Sequence, residues 1–189
     1  MKKIQKIILV VIATNLLSVN LTMAYDSEEQ ILTKARLLFY KSVEDKDHIP
    51  EAIKLFEILI ENEAYSGRAM TYIGALTALK GRFAFWPQQK YSLANKGLAI
   101  MDKGIQTSPN DIEALFIHGS TCYYLPFFFG RKDDAIRSLK KIIDLLPEQM
   151  HLYNEELTEN VINFIKENLE LEQIEIEKLN NVRELLALG

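Results

Sequence analysis

Residues 111–147 read DIEALFIHGSTCYYLPFFFGRKDDAIRSLKKIIDLLP, and this stretch decides the fold. Its apolar residues have helical spacing, which predicts one helix before the aromatic run PFFF and a second helix after it. Asp111 is suited to cap the first helix, and Pro147 is expected to close the second. Two helices joined by a short connection pack antiparallel, and neither buries its apolar stripe alone. The stretch therefore predicts a helix pair that needs neighbours.

The chain before this pair repeats the pattern less regularly. The spacing of apolar residues predicts helices over Glu28–Glu44, Pro50–Glu61, Tyr65–Leu79 and Gln88–Thr107. Gly81 is expected to close the third of these helices, and Pro87 is expected to keep Trp86 out of the helical region. These four helices form two further pairs.

The three pairs share one register of small and large residues. In the second helices the spacing +4, +3, +5 is kept by Ala135, Leu139, Ile142 and Pro147, by Gly97, Met101, Gly104 and Pro109, and by Ala52, Phe56, Leu59 and Ala64. In the first helices the matching sets are Leu115, Gly119 and Cys122, then Met70, Gly74 and Thr77, then Ile31, Ala35 and Leu38. A period of tens of residues is typical of helical repeat proteins.

In this register the chain resembles the tetratricopeptide repeat (TPR) family, most closely through Leu115, Gly119, Ala135, Leu139 and Pro147. The resemblance covers about residues 28–147 and implies a right-handed α-α superhelix, whose concave groove holds peptides or partner helices in that family. The pattern departs from the family in the extra residues between the two helices of each unit, and in Ala64, which stands where the first unit's closing proline belongs. The chain also resembles exported bacterial TPR-like proteins of undefined function.

The C-terminal part is expected to cap the repeats. Leu152–Ile165 has amphipathic spacing, and residues 169–177 fit either a strand or a helix, of which we favour the helix. We therefore predict an all-α chain. Its parts are a signal peptide (1–24), TPR-like helical repeats (25–147, with units at 28–64, 65–109 and 110–147) and C-terminal capping helices (148–189).

The first 24 residues have the pattern of a secretory signal peptide. Three lysines precede the apolar run Ile7–Ala13, and small residues stand at Thr22 and Ala24, which predicts cleavage after about Ala24. The alternative is an uncleaved N-terminal anchor, but polar residues interrupt the run of about 20 apolar residues that a membrane span requires. We expect an exported protein and favour the periplasm.

Charge and cysteine content narrow the range of partners. Without the lysines of the signal segment the chain keeps 19 basic and 26 acidic residues, a formal charge of about −7, which disfavours nucleic acid. The single cysteine, Cys122, lies among apolar residues of a predicted helix. We interpret it as a buried filler, with intermolecular pairing or reactivity as the alternative.

The sequence contains no recognisable catalytic or cofactor motif. His48, His118 and His151 are widely separated, and no cysteine spacing suits zinc, so neither a metal site nor any other cofactor is expected. Ser120 follows His118 and Gly119 within a helix and lacks the strand–turn–helix setting of a nucleophile elbow. We therefore expect a protein that is not an enzyme.

Two aromatic groups fall at the turns between first and second helices, so stacked pairs would bring them to one edge. This aromatic edge consists of Phe83, Phe85, Trp86, Tyr123, Tyr124, Phe127, Phe128 and Phe129. Arg82 with Lys90 flanks the first group, and Arg131 with Lys132 flanks the second. The rings either pack on one another and fold the loops down, or form a contact surface for a protein, an apolar ligand or the membrane surface. The flanking cations are either a polar rim or ordinary solvated charges.

A second candidate surface is the concave groove that the family resemblance implies, with Tyr40, Arg68, Tyr72 and His118, together with Tyr123, facing it. The sequence thus favours a non-catalytic protein-protein interaction module with a protein or peptide partner. The alternative is a periplasmic binding component that holds an apolar or small ligand and can serve a transporter.

Overall fold

A computed structural model describes residues 28–187, and within this range the chain is all-helical, with no strand. Helix α1 occupies residues 28–42. The other α-helices are α2 (Ile49–Ile60), α3 (Glu63–Phe83), α4 (Pro87–Thr107), α5 (Ile112–Tyr124), α6 (Lys132–Gln149), α7 (Glu155–Asn168) and α8 (Gln173–Leu186). Three short 3-10 helices lie at Lys46–His48, Phe127–Phe129 and Met150–Leu152. The predicted signal peptide lies outside the described residues.

The described chain divides into two compact units, residues 28–59 and 60–187. In the first unit, the predicted inward positions Leu32, Ala35, Leu38 and Phe56 are buried, as helical spacing requires. Pro50 is the second residue of α2, where the missing N–H does no harm. An ion pair between Lys34 and Glu51, 2.7 Å long, joins α1 to α2 on the exposed side.

The second unit begins with the hairpin of α3 and α4, which pack closely because glycines face each other. A Cβ atom added to Gly97 would lie 2.4 Å from the carbonyl oxygen of Gly74 and 2.5 Å from the backbone nitrogen of Ala78. Further along, Gly67 approaches Gly104, and Gly81 approaches Lys90, so one helix runs opposite to the other. The small residues therefore set an antiparallel pair whose backbones are in contact.

The next pair, α5 and α6, repeats this contact in the predicted register. Gly119 of α5 lies against Leu139 and Ala135 of α6. Two side-chain interactions then join α3 to α5: the Tyr72 hydroxyl donates to Glu113, at 2.5 Å, and Arg68 pairs with Asp111 and Glu113.

The C-terminal helices α7 and α8 share an apolar core with α5 and α6. Its buried members are Ile112, Leu115, Leu139, Ile142, Ile143, Leu146, Val161, Ile162, Ile165, Leu179 and Val182. The helix predicted over Leu152–Ile165 is found at Glu155–Asn168, capped by the side chain of Asn154. Residues 169–172 are not helical and the following residues form α8, so the helix favoured for 169–177 forms only from Gln173.

Two predicted helix ends were wrong. Gly81 does not close α3, which continues to Phe83, because this glycine lies inside the helix against the backbone of Lys90. Pro147 does not close α6, which continues to Gln149, because a proline in the last turn removes only one backbone donor. As expected, Asp111 caps α5, and Trp86 has an extended backbone before Pro87.

Candidate functional site

The first of the two aromatic turns joins α3 to α4. Phe83 ends α3, Ala84 and Trp86 have extended backbones, and Pro87 is the first residue of α4. Pro87 lacks a backbone N–H and has a fixed φ, which suits it to start a helix directly after an extended residue. The Phe85 and Trp86 rings meet edge to face with centroids 5.0 Å apart. The turn therefore holds two adjacent aromatic side chains at the end of the hairpin.

The second aromatic turn joins α5 to α6. Pro126 precedes the 3-10 turn Phe127–Phe129, and Gly130 closes the turn with φ 66°. This is the left-handed region that glycine adopts without strain, and the Gly130 N–H donates to the Phe127 carbonyl at 2.9 Å. One tight turn thereby presents three consecutive phenylalanine rings.

The two turns meet through Tyr91. Its ring, in the first turns of α4, stacks on Phe129 with centroids 5.4 Å apart and an interplanar angle of 24°. Trp86 packs on Phe85 instead, so the ring contact that joins the turns in the described chain is made by Tyr91. The two turns therefore lie next to each other, and the residue that joins them, Tyr91, was not among those predicted for the edge.

Between the turns lies an open groove of about 550 Å³, which we call the edge groove. Its lining is formed by Ala78, Gly81, Arg82, Pro87, Lys90, Tyr91, Ala94, Tyr124, Leu125, Pro126, Phe128 and Phe129. The volume falls within the roughly 300–1,000 Å³ of small-molecule sites. Arg82 and Lys90 are the charged residues of the lining, which contains no acid. The groove is therefore apolar and aromatic, with positive charge at its border.

The exposure of the aromatic side chains bears on the two interpretations of the edge. Phe127 is 93% exposed, Phe85 81%, Tyr124 72%, Trp86 63% and Phe128 61%. These five rings contact neighbouring rings edge to face, but that packing leaves them largely exposed. Phe83, Tyr123 and Phe129 are only partly exposed. The edge is a large exposed aromatic surface of the kind that marks contacts.

Phe164 of α7 and Lys132 support two of the rings of this edge. Tyr123 and Tyr124 each contact Phe164 of α7 edge to face, with centroids 5.8 and 5.9 Å apart. The Lys132 ammonium lies 3.2 Å from the centroid of the Tyr123 ring, within the range of a cation–π contact.

Arg131 does not flank the edge as a free cation, contrary to expectation. Its guanidinium bonds to Asp102 of α4 and lies 3.0 Å from Asp134, and its side chain is 20% exposed. Burial alone would lower the pKa of Arg131, but the hydrogen bond to Asp102 and the neighbouring Cys122 raise it. Arg131 is therefore a structural cation that ties α6 to α4.

The concave groove predicted on the first helices is contradicted for most of its residues. Tyr72 and His118 are 1% exposed, because Tyr72 is bound to Glu113 and His118 lies between α4 and α6. Arg68 is occupied by Asp111 and Glu113, with a side chain only 15% exposed. Tyr40, in the first unit, is exposed.

His118 belongs instead to a buried polar network. Its Nδ1 lies 2.8 Å from the Ser138 hydroxyl, and its Nε2 lies 3.0 Å from Asp102 Oδ1. An ionised carboxylate only accepts, so the neutral ring donates from Nε2 to Asp102 and accepts at Nδ1 from Ser138. Burial lowers the pKa of His118, although Asp102 opposes the change. This order of groups resembles a catalytic triad in composition, but His118 and Ser138 are both buried.

Cys122 is buried one turn after His118. Its sulfur lies 3.7 Å from His118 Nε2, and burial raises the pKa of its thiol to about 11. A thiol that remains protonated is a poor nucleophile and a poor partner for disulfide exchange. The prediction that Cys122 is a buried residue is confirmed.

The residues that the sequence did not identify are Tyr91, Asp102 and Glu113. The sequence could have identified Tyr91. It lies one helical turn after Pro87, so its side chain is on the same face of α4 as the start of the helix. The sequence gives no such signal for Asp102 and Glu113, because their partners are distant in sequence.

Among residues 28–187, no group of His, Cys, Asp and Glu is arranged to hold a metal ion. In the same range no helix combines the length and apolar character of a membrane span.

Comparisons of the chain with models of known protein families, with characterised proteins and with solved structures gave no match.

Proposed function

We propose that the chain is a non-catalytic protein-protein interaction module built from TPR-like helix pairs in a right-handed superhelix, and that it acts after export, in the periplasm. The repeat interpretation is supported by equivalent contacts in two pairs, Gly74 with Gly97 and Gly119 with Ala135. The export interpretation rests on the basic and apolar pattern of residues 1–24.

The observation that carries the function is the exposed aromatic edge around the edge groove. A partner would place an apolar side chain in the groove, against Tyr91, Phe128 and Phe129. Aromatic anchors in a partly recessed, apolar setting contribute most of the binding energy at protein interfaces. The burial of Tyr72 and His118 leaves the edge as the better supported of the two predicted surfaces.

The proposal treats the protein as non-catalytic. The group with catalytic composition within residues 28–187, His118 with Ser138 and Asp102, is a packed network between helices. His118 is 1% exposed and Ser138 4%. A substrate has no access to such a hydroxyl without unfolding of the helix pair. The network is better explained as polar groups that satisfy one another in a core.

Affinity capture tests this function. The tagged wild-type protein and Phe128→Ala would be used to recover partners from the cell envelope, with Tyr40→Ala as the matched control. Tyr40 is an exposed aromatic residue that was predicted for the other surface. We expect one protein to be recovered with the wild type and Tyr40→Ala and lost with Phe128→Ala. Loss with Tyr40→Ala alone would contradict the assignment to the edge.

A second candidate function is favoured by the volume of the edge groove. A space of about 550 Å³ with an aromatic lining also suits an apolar or small ligand, as in a periplasmic binding component associated with a transporter. Native mass spectrometry of the purified protein distinguishes this function. A co-purified small molecule that is absent from a Phe129→Ala variant would support it.

A further inference from the structure

One long stretch of the chain is free of acidic residues. Residues 64–101 contain no Asp or Glu, whereas the whole sequence contains 26. The same stretch contains five basic residues, which are Arg68, Lys80, Arg82, Lys90 and Lys96. Arg68 is held in buried ion pairs, and the other four are exposed. The hairpin of α3 and α4 is therefore positively charged in a chain with a net charge of −4.

The aromatic turn Phe85–Trp86 lies in the middle of this basic stretch. Lys80 and Arg82 are in the last turn of α3, and Lys90 is close to the start of α4, which has no acid in its first turn. On the neighbouring turn, Lys132 is also exposed. The nearest acids there are Asp133, which is exposed, and Asp134, which is paired with Arg131 and Arg137. Positive charge thus flanks the Phe85–Trp86 turn on both sides, whereas on the neighbouring turn Lys132 stands next to an exposed acid.

Three of the aromatic side chains project into solvent and do not line the edge groove. Phe85, Trp86 and Phe127 do not belong to its lining, and they are 81%, 63% and 93% exposed. A phenylalanine ring has no polar atom, so its exposure to water is unfavourable and its transfer to an apolar medium is favourable. Projecting rings reach into such a medium more readily than they fit a recessed protein pocket.

We infer that this end of the α3–α4 hairpin docks on a phospholipid bilayer that contains anionic lipids. Phe85 and Phe127 enter the interface, and Trp86 lies at the level of the headgroups, where its amphipathic ring is favoured. Lys80 and Lys90 lie over the lipid phosphates. Exposed Lys and Arg near an anionic surface and apolar side chains in the interface reinforce each other. The inference goes beyond the proposed function, because its apolar side chains, Phe85, Trp86 and Phe127, lie outside the lining of the edge groove.

Charge complementarity fixes the orientation, and the exposed rings favour a bilayer as the occupant. The chain as a whole is negative, so an anionic surface repels most of the protein and attracts the hairpin end. An acidic protein would satisfy the lysines equally well. It would need a complementary pocket for each of the exposed rings, Phe127 at 93% exposure included, whereas a bilayer interface takes apolar side chains without a matching pocket. The bilayer satisfies both the charge and the projecting rings.

Trp86 provides a local probe, since it is the only tryptophan. The full-length protein would be mixed with vesicles of phosphatidylcholine alone, or with phosphatidylglycerol added. We expect the Trp86 emission to shift to shorter wavelength, and brominated acyl chains to quench it, only with the anionic vesicles. Added salt should weaken the binding. Because the readout is local to Trp86, residues 1–27 do not contribute to it directly.

Two double variants separate the contribution of the aromatic rings to vesicle binding from that of the lysines. Phe85→Ala with Phe127→Ala should lower the vesicle partition coefficient about tenfold, and Lys80→Gln with Lys90→Gln should lower it by a similar factor. Matched controls would change exposed residues elsewhere in the chain. The partition coefficient should be unchanged in two double variants, Leu152→Ala with Ile174→Ala and Lys41→Gln with Lys103→Gln.

Several results would overturn the inference. They are equal binding to neutral and anionic vesicles, no change in Trp86 emission with either, or equal effects of the edge and control variants. Salt-sensitive binding to polyglutamate that does not depend on Phe85 and Phe127 would assign the surface to an acidic protein instead. Partner capture that depends on Phe128 tests the edge groove separately, so failure of one proposal leaves the other standing.

Discussion

The ring of Tyr91 in α4 stacks on the ring of Phe129 in the turn before α6, with centroids 5.4 Å apart. This contact joins two turns that are distant in sequence and forms one side of the edge groove. Beyond it, the projecting ring of Phe127 touches only its neighbour Phe128 among the described aromatic rings. The stacked pair therefore supports the edge, whereas the projecting ring is available for binding.

The first prediction concerns this division. Phe127→Ala should change the free energy of unfolding by no more than about 0.5 kcal/mol, because the ring is 93% exposed and its removal leaves no cavity. Leu139→Ala, at 0% exposure, should cost about 2–5 kcal/mol. Denaturant unfolding of both variants makes the comparison. A loss of more than about 2 kcal/mol for Phe127→Ala would show that the ring belongs to a satellite core.

The second prediction concerns the close contact of α3 and α4. Gly97→Ala should destabilise the protein by about 2–3 kcal/mol, because the new Cβ would lie 2.4 Å from the Gly74 carbonyl oxygen and the backbones would have to separate. On a solvent-exposed helix face, a change from glycine to alanine stabilises a protein by about 0.5–1 kcal/mol. The sign of the change in unfolding free energy therefore tests the close contact. Gly81→Ala is the matched control, since its nearest atom lies at 3.0 Å, and thermal unfolding should show a much smaller loss.

The third prediction concerns the buried ion pairs of Arg68. Burial alone would lower the pKa of Arg68, but the carboxylates of Glu113 and Asp111 raise it above its usual value. Arg68→Met should cost about 3–5 kcal/mol in urea unfolding, because it leaves two carboxylates that are largely buried without their cation. Lys178→Met removes an exposed pair with Asp144 and should have little effect. Equal effects would refute a structural role for Arg68.

The fourth prediction concerns pH. Burial lowers the pKa of His118 below its usual 6.5, so below this pH the unfolded chain takes up a proton that the folded chain resists. The free energy of unfolding should therefore fall as the pH decreases from about 7 toward the lowered pKa. Asp102, Asp134 and Arg131 are the charged groups that act on the ring.

The pH dependence is assigned by substitution. His118→Gln should flatten the slope of unfolding free energy against pH between about 7 and 5. The wild-type protein, measured in the same buffers, gives the reference slope. An unchanged slope in His118→Gln would mean that other groups cause the effect.

The fifth prediction concerns Cys122. With its pKa raised to about 11 by burial, the thiol should not react with iodoacetamide at pH 8 in the folded protein, and should react fully in denaturant. Mass spectrometry of the labelled chain checks this. Rapid labelling of the folded protein would contradict the buried position and would support the alternative of a reactive thiol.

The helices themselves could be predicted from the sequence because their apolar spacing is local information. The helix expected from Gln88 begins at Pro87, and the register that pairs Gly119 with Ala135 reappears as a contact between α5 and α6. The helix ends at Gly81 and Pro147 could not be predicted in this way. Whether a glycine ends a helix or admits a neighbouring backbone depends on what packs against it.

The two candidate surfaces differ in how well the sequence could predict them, for a related reason. Neighbouring positions on a helix point about 100° apart, so an error of one residue moves a side chain from solvent to core. Tyr72 and His118 were placed on the wrong side because their polar partners, Glu113 and Asp102, are 41 and 16 residues away in sequence. Side chains in the turns are less affected by an error of one helical position. In the turns, the rings of Phe85, Trp86 and Phe127 are exposed, as a contact surface requires.

The central claim is that the partner binds at the aromatic edge, and in-cell photo-crosslinking tests it most directly. A photoreactive p-benzoyl-phenylalanine would replace Phe128 in one strain and Tyr40 in another, both exposed aromatic positions. We predict a crosslinked protein adduct from position 128, which disappears when Tyr91→Ala is added, and none from position 40. Adducts from position 40 with none from position 128 would contradict the claim.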